Sequence, residues 1–252
     1  MTELLVFEWR RMRSLRATWV LAGLMVGFAL LADLAVGLGK FKQPVDAEGL
    51  VFQVVQRDLV IRWLVAAAIG AQGFGHDFRY GTIRPTLLAF PRTGQLLAGK
   101  VLATSLLSAT AALAASAASI ALLLVLTTWD GSVVADPRLW GSVALGIVTT
   151  GLVAALAVGL AALARGSGLP VVLIVLWAGV VEPLTVVGLG GGAARVLPFL
   201  SLVQLTAYAP ASQDLGAPGP LAWVVFPLLL AAILATAVLV LARRDVTTSY
   251  GS

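Results

Sequence analysis

Residues 101–129, VLATSLLSATAALAASAASIALLLVLTTW, contain no Asp, Glu, Lys, Arg or His. A helix rises about 1.5 Å per residue, so ~20 such residues cross the ~30 Å hydrocarbon core of a bilayer. Residues 139–164 and 215–242 are equally free of charge and also long enough. A soluble domain carries about 25% charged residues, whereas this chain of 252 residues has 12% charged and 60% apolar. Its mean hydropathy is +0.98. These runs exclude a soluble globular domain and mark an all-α integral membrane protein.

Working outward, six spans are expected, at 17–38, 59–75, 101–126, 139–164, 169–188 and 220–242. The second is the weakest, because Arg62 near its start must snorkel or face protein. No remaining stretch reaches the ~50 residues of an independent soluble domain. Residues 1–252 are therefore read as one transmembrane domain, and any soluble engine must be another chain. Net charge is +5, but its distribution follows membrane topology and calls for no nucleic-acid partner. With the N-terminus in the cytoplasm, eleven Lys and Arg residues fall inside and six outside, while Asp46, Glu48, Asp58, Asp130, Asp136 and Asp214 fall outside. That bias places both termini in the cytoplasm. Trp19, Trp63, Trp129, Trp140 and Trp223 lie near span ends, as interfacial belts do. The arginine-over-lysine, alanine-rich composition suggests a GC-rich bacterial genome, and hence the bacterial plasma (inner) membrane.

Residues 2–16, TELLVFEWRRMRSLR, are too charged to span. Leu5, Trp9 and Met12 form one helical stripe away from Arg10 and Arg13. The segment reads as an interfacial elbow helix with arginines toward anionic lipid. Two outer segments also need more than a turn. In 39–58, Gln53, Gln56 and Arg57 fall at i, i+3, i+4, so the second helix is expected to begin outside the membrane. In 189–218, the apolar stretch Val196–Leu205 is too short to span and reads as a re-entrant or surface-lying helix at the outer leaflet.

The longest inner loop, residues 76–100, is HDFRYGTIRPTLLAFPRTGQLLAGK. Thr82 is a cap candidate and Pro85 falls in the first turn, where no intrahelical N–H is lost. Ile83, Leu87 and Leu88 supply an apolar side, and Pro91 stops the helix. A lone helix of about two turns is marginal in water. It is expected either to dock its apolar side on a cytoplasmic partner or to be a solvated loop.

This loop resembles the segment between the second and third spans of ABC-2 type transporter permeases. Those commonly carry an acidic residue, a G-T-[IL] step, a Leu pair, a Pro-Arg or Pro-x-x-Arg turn and a Lys opening the next span. Here the corresponding positions are Asp77, Gly81-Thr82-Ile83, Leu87-Leu88, Pro91-Arg92 and Lys100. The elbow helix, six spans, cytoplasmic termini and irregular outer segment resemble that family too. The resemblance implies that the loop is a coupling helix seated in a separate nucleotide-binding ATPase. Two permeases, here expected as a homodimer, and two ATPase copies would form an exporter with its pathway between the permeases. ATP and Mg would sit on the ATPase, with no cofactor in this chain. Arg79, Arg84 and Arg92 would help orient the ATPase, with Asp77 as counter-charge or helix-dipole partner.

Other chemistries find little in the sequence. There is no cysteine and one histidine, His76, which removes thiol chemistry and multi-histidine metal sites. Gly94–Lys100 matches G-x-x-x-x-G-K but is followed by Val101 where a P-loop needs Ser or Thr; its Lys100 reads as an interfacial anchor. A membrane hydrolase would need a serine–histidine pair, and a metal-dependent lipid transferase would need clustered aspartates. A secondary carrier is the principal alternative, although the paired broken helices of inverted repeats are not evident.

Pathway candidates are few. Glu182, inside the fifth span beside Pro183, is expected either to line the outer pathway, to pair with Arg195 or Arg62 as an outer gate, or simply to be interfacial or structurally paired. Gln72 either bonds another helix or lines a cavity. Asp33 reads as a snorkelling end residue. The glycines of 139–164 read as close-packing positions. Few pathway charges favour an amphipathic or lipid-like cargo over a small ion.

Overall fold

The computed structural model describes residues 2–39, 44–45, 49, 52–129, 135–190, 192–193, 196–206 and 220–247. Helices dominate throughout. The first, α1 (Thr2–Ser14), is parted from α2 (Arg16–Gly39) by Leu15 alone. A π-helical turn, Phe52–Gln56, precedes α3 (Leu59–Arg79), which is followed by the short α4 (Ile83–Ala89) and the long α5 (Thr93–Leu126). Then come α6 (Pro137–Ala164), α7 (Gly168–Leu189), α8 (Pro198–Thr206) and, after a 3-10 turn at Pro220–Trp223, α9 (Val225–Thr247). Pro44–Val45 and Thr128–Trp129 form a two-residue parallel bridge.

Five helices are long and apolar enough to cross a membrane: Arg16–Ala35, Thr93–Leu126, Pro137–Ala164, Gly168–Leu189 and Pro220–Arg243. The segment drawn as the second span, α3, is helical but is not one of the five. Arg62, Gln72, His76, Asp77 and Arg79 dilute its apolar character, and protein surrounds it, with residues from Leu59 to Asp77 buried on several sides. Its neighbour α6 is buried over most of its length. The two approach so closely that a Cβ on Gly70 would strike the Ala154 carbonyl. Small residues thus bring two backbones together at the centre of the bundle. Along α6, Gly146 makes room for the Val55 side chain and Gly159 for the Ile233 side chain, while Gly141 faces open space. On one flank, α2 and α5 pack Met25, Ala29 and Ala112 against Ile69 and Ala154. On the other, the Phe199 ring meets Trp63 at a tilt and Phe226 edge-on, with centroids 5.6 and 5.5 Å apart.

Several boundaries and faces differ from the expectations. Thr93 begins α5, well before residue 101, because nothing in Gly94–Lys100 interrupts it. In α1 the buried residues are Leu4, Glu8 and Met12, whereas Trp9 remains 37% exposed. The buried stripe is turned from the expected Leu5, Trp9 and Met12 because Glu8 points inward between Leu4 and Met12. In α7, Pro183 has no N–H to return to Gly179. The chain absorbs this through a π turn at Trp177–Val181, in which the Glu182 N–H reaches back to the Trp177 carbonyl. Finally, α8 is not merely surface-lying: Phe199 and Leu202 are buried in the core. Residues 207–219 of that outer segment lie outside the described residues.

Candidate functional site

The loop after α3 turns at Gly81, whose φ of +67° suits glycine and strains other residues. Thr82 occupies the cap position of α4, but its φ and ψ of −80° and 0° are helical, and its side chain does not cap. A capping side chain needs an extended backbone to reach the orphan N–H groups. Instead the Thr82 hydroxyl donates to Asp77 Oδ1 at 3.0 Å. Ala89 ends α4, short of Pro91 as expected, and Phe90 packs on Phe7 of α1 at 5.9 Å. Both ends of the short helix are thereby fastened.

Asp77 belongs to a buried cluster of four charges. Lys100 Nζ lies 2.6 Å from Asp77 Oδ2 and 2.8 Å from Glu8 Oε1, and donates to the Gly73 carbonyl at 3.2 Å. Arg11 bridges the same carboxylates, 2.7 Å from Asp77 Oδ1 and 3.1 Å from Glu8 Oε2. Two acids and two bases balance, and with its carboxylates and amine buried, removal of one member would strand its partners. The cluster corrects two expectations. Lys100 is not an interfacial anchor, and its amine is occupied by carboxylates inside a continuous helix rather than a phosphate loop. Asp77 turns inward, leaving the basic residues of the loop without it as an outward counter-charge.

The remaining loop residues divide by exposure. Ile83 packs against the core, Leu87 is half-buried, and Leu88 is 85% exposed. Arg79, Pro91 and Arg92 are exposed, with the Arg79 guanidinium 5.8 Å from the Tyr80 ring centroid. Arg84 lies in α4, and its side chain is outside the described residues. His76, beyond the apolar run 59–75, stacks edge-on with Tyr80. Burial first, then the Arg11 and Arg79 charges, hold its pKa below the ordinary histidine value.

At the other end of α3, about 22 Å away by helix rise from Asp77 to Arg62, lies a second balanced set. Arg62 is 1% exposed; it contacts Asp58 at 2.7 Å, Ser116 Oγ at 2.6 Å and the Val54 carbonyl at 2.6 Å. Arg57 pairs with Asp33 at 2.7 Å, so Asp33 is a paired residue rather than a snorkelling end. Glu182 is bound elsewhere. Its carboxylate accepts the Trp177 indole N–H at 2.8 Å and the backbone N–H groups of Phe199 and Leu200 at 3.0 and 2.7 Å. It therefore fastens the start of α8 to α7. Among the described residues no Glu182–Arg62 pair forms, and Arg195 lies outside them. The Gln72 side-chain oxygen is buried without a hydrogen-bond partner among the described residues.

Sequence reasoning missed Glu8 and Arg11. Glu8 did carry a signal, since it sits in phase with Leu4 and Met12 on α1. The arrangement is mechanical: it joins α1, α3, α4 and α5 through charge-assisted bonds at one end of the bundle. Compared with models of known protein families and with curated protein sequences, the chain matches none.

Proposed function

We propose that this chain is the transmembrane permease subunit of an ATP-binding-cassette exporter of the ABC-2 type. In this reading α3 is the second of six spans, both termini are cytoplasmic, and the bacterial plasma membrane houses a permease homodimer driven by two ATPase subunits. What carries the reading is one observation. A short helix holds Leu88 out at 85% exposure, while the residue before it, Thr82, is bonded to a buried four-charge cluster.

Such a helix transmits force. An ATPase closing on α4 would displace Thr82 and Phe90 together, and through Asp77 and Phe7 the load would reach α3, α5 and α1. Lys100 ties the opening of α5 to the end of α3, so the two helices tilt as a pair rather than shearing. The differential energy comes from ATP and Mg bound on the partner. Pathway surfaces between the two permeases would carry an amphipathic or lipid-like cargo.

The chain contains no cysteine, which allows a direct test. Leu88→Cys introduces a single thiol at the exposed tip of α4. A short bifunctional cross-linker in native membranes is expected to join it to a soluble, Walker-A-containing ATPase, and ATP is expected to change the yield. Failure of Leu88→Cys to cross-link, while the same thiol accepts a soluble maleimide, would defeat the assignment of α4.

A further inference from the structure

A groove of about 560 Å³ opens between α1, α2 and α5, on the side of α1 away from the charge cluster. At its mouth stand Trp9, Arg13 and Trp19. The Trp19 indole N–H donates to the Arg13 carbonyl at 2.8 Å, which holds this ring at the corner between α1 and α2. Arg13 is exposed and makes no ion pair among the described residues. Below the mouth the wall is small and mostly apolar; its one polar side chain, Thr110, donates its hydroxyl to the Leu107 carbonyl at 2.8 Å. Ala22, Gly23 and Val26 on α2 face Leu107, Ala111 and Ala114 on α5. Counted from Trp19, the α2 positions fall at i, i+3, i+4 and i+7, and Leu107, Ala111 and Ala114 fall at i, i+4 and i+7, so each wall runs for about 10 Å along its helix.

We propose that this groove binds one anionic glycerophospholipid, with an acyl chain between Gly23 and Ala114 and the phosphate on Arg13. The charge at the mouth selects the headgroup, while the two indoles mark the level where hydrocarbon gives way to headgroups. The groove lies within the roughly 300–1,000 Å³ range of small-ligand sites. An exposed arginine without an ion-pair partner among the described residues, set above an apolar groove, favours a ligand with an anionic head and a hydrocarbon tail over the apolar flank of a second copy. This inference requires the membrane reading but not the ATPase reading.

The test is native mass spectrometry of the full chain in mild detergent, titrated with phosphatidylglycerol or with phosphatidylcholine of matched acyl chains. One phosphatidylglycerol is expected to bind at least about fivefold more tightly than phosphatidylcholine, the effect of one arginine near an anionic headgroup. Arg13→Gln is expected to erase that preference. Gly23→Phe is expected to weaken both lipids, because a Cβ at Gly23 meets no atom within 4 Å and the ring beyond it would occupy the groove that Gly23 lines. Both variants are expected to keep the wild-type melting temperature. Equal binding of the two lipids by the wild type would overturn the proposal, as would Gly23→Phe binding both lipids like the wild type. A dimer lost in Gly23→Phe with phosphatidylglycerol binding unchanged would instead assign the groove to a second copy.

Discussion

Lys100 Nζ lies 2.6 Å from Asp77 Oδ2, with both side chains no more than 2% exposed. The pair joins the end of α3 to the first turns of α5, and the whole 80–92 connection is strung between them. Because the contact lies beneath α4, it holds the loop's two supporting helices at a fixed separation. It also needs its neighbours: Glu8 and Arg11 supply the second acid and base that keep the site neutral.

Breaking the cluster from one side should be costly. Lys100→Met leaves two carboxylates facing Arg11 alone and is expected to lose about 3–5 kcal/mol, as does removal of one partner from other buried pairs. Combining it with Asp77→Asn restores neutrality. The double variant should therefore lose less than the sum of the singles, by ~0.5–3 kcal/mol. Thermal unfolding in detergent of the four proteins in this cycle provides the measurement.

Gly70 and Gly23 should respond oppositely to the same methyl group. At Gly70 it meets the Ala154 backbone, which has no rotamer with which to yield. Gly70→Ala is expected to destabilise by about 1–3 kcal/mol. Gly23 faces open space, so Gly23→Ala should be neutral or gain up to about 1 kcal/mol from helix propensity. Melting temperatures of the two variants, measured side by side, decide this.

These contrasts show what the sequence could convey. Charge-free runs locate three of the six drawn spans, and long apolar runs broken only by Asp33 or Glu182 locate two more, because hydrocarbon demands the same apolar length wherever a helix crosses it. The second drawn span is helical as expected, but its burial depends on contacts with α2, α5 and α6 that no local pattern encodes. Asp77, Thr82 and Lys100 stand out in the loop, yet their mutual bonds do not, since Lys100 meets Glu8 across 92 residues of chain. The buried face of α1 differs from its apolar stripe because Glu8 and Arg11 turn toward Asp77 and Lys100, partners that lie on other helices. Pro183 signals a disturbed helix, whereas two of the three partners of Glu182 come from α8, 17 and 18 residues farther on.

Glu182 should govern the attachment of α8. Glu182→Leu removes the acceptor for two backbone N–H groups and one indole, each orphaned donor costing about 1–3 kcal/mol. Glu182→Gln keeps one oxygen and should lose less. Hydrogen exchange at the Phe199 and Leu200 amides is expected to accelerate most in Glu182→Leu, while exchange in the centre of α6 stays slow. Unchanged exchange at those two amides would show that α8 is held by its aromatic packing alone.

Leu88 and Ile83 should separate docking from folding. Leu88→Ala alters a side chain that is 85% exposed, so stability should change by less than about 0.5 kcal/mol. ATPase association and transport should fall. Ile83→Ala removes core contacts and is expected to lower the melting temperature as well. Equal behaviour of the two variants in both assays would contradict the division of the helix into an outer contact and an inner anchor.

Co-purification from native membranes most directly tests the central claim that a separate ATPase drives this chain through α4. With a tag after Ser252, mild detergent extraction is expected to recover a Walker-A-containing ATPase in nearly equal amount, with ATP hydrolysis in the eluate. Leu88→Ala should reduce both together. Recovery of the folded chain alone, across several detergents and with ATP analogues present, would contradict the permease account and direct attention to a carrier mechanism.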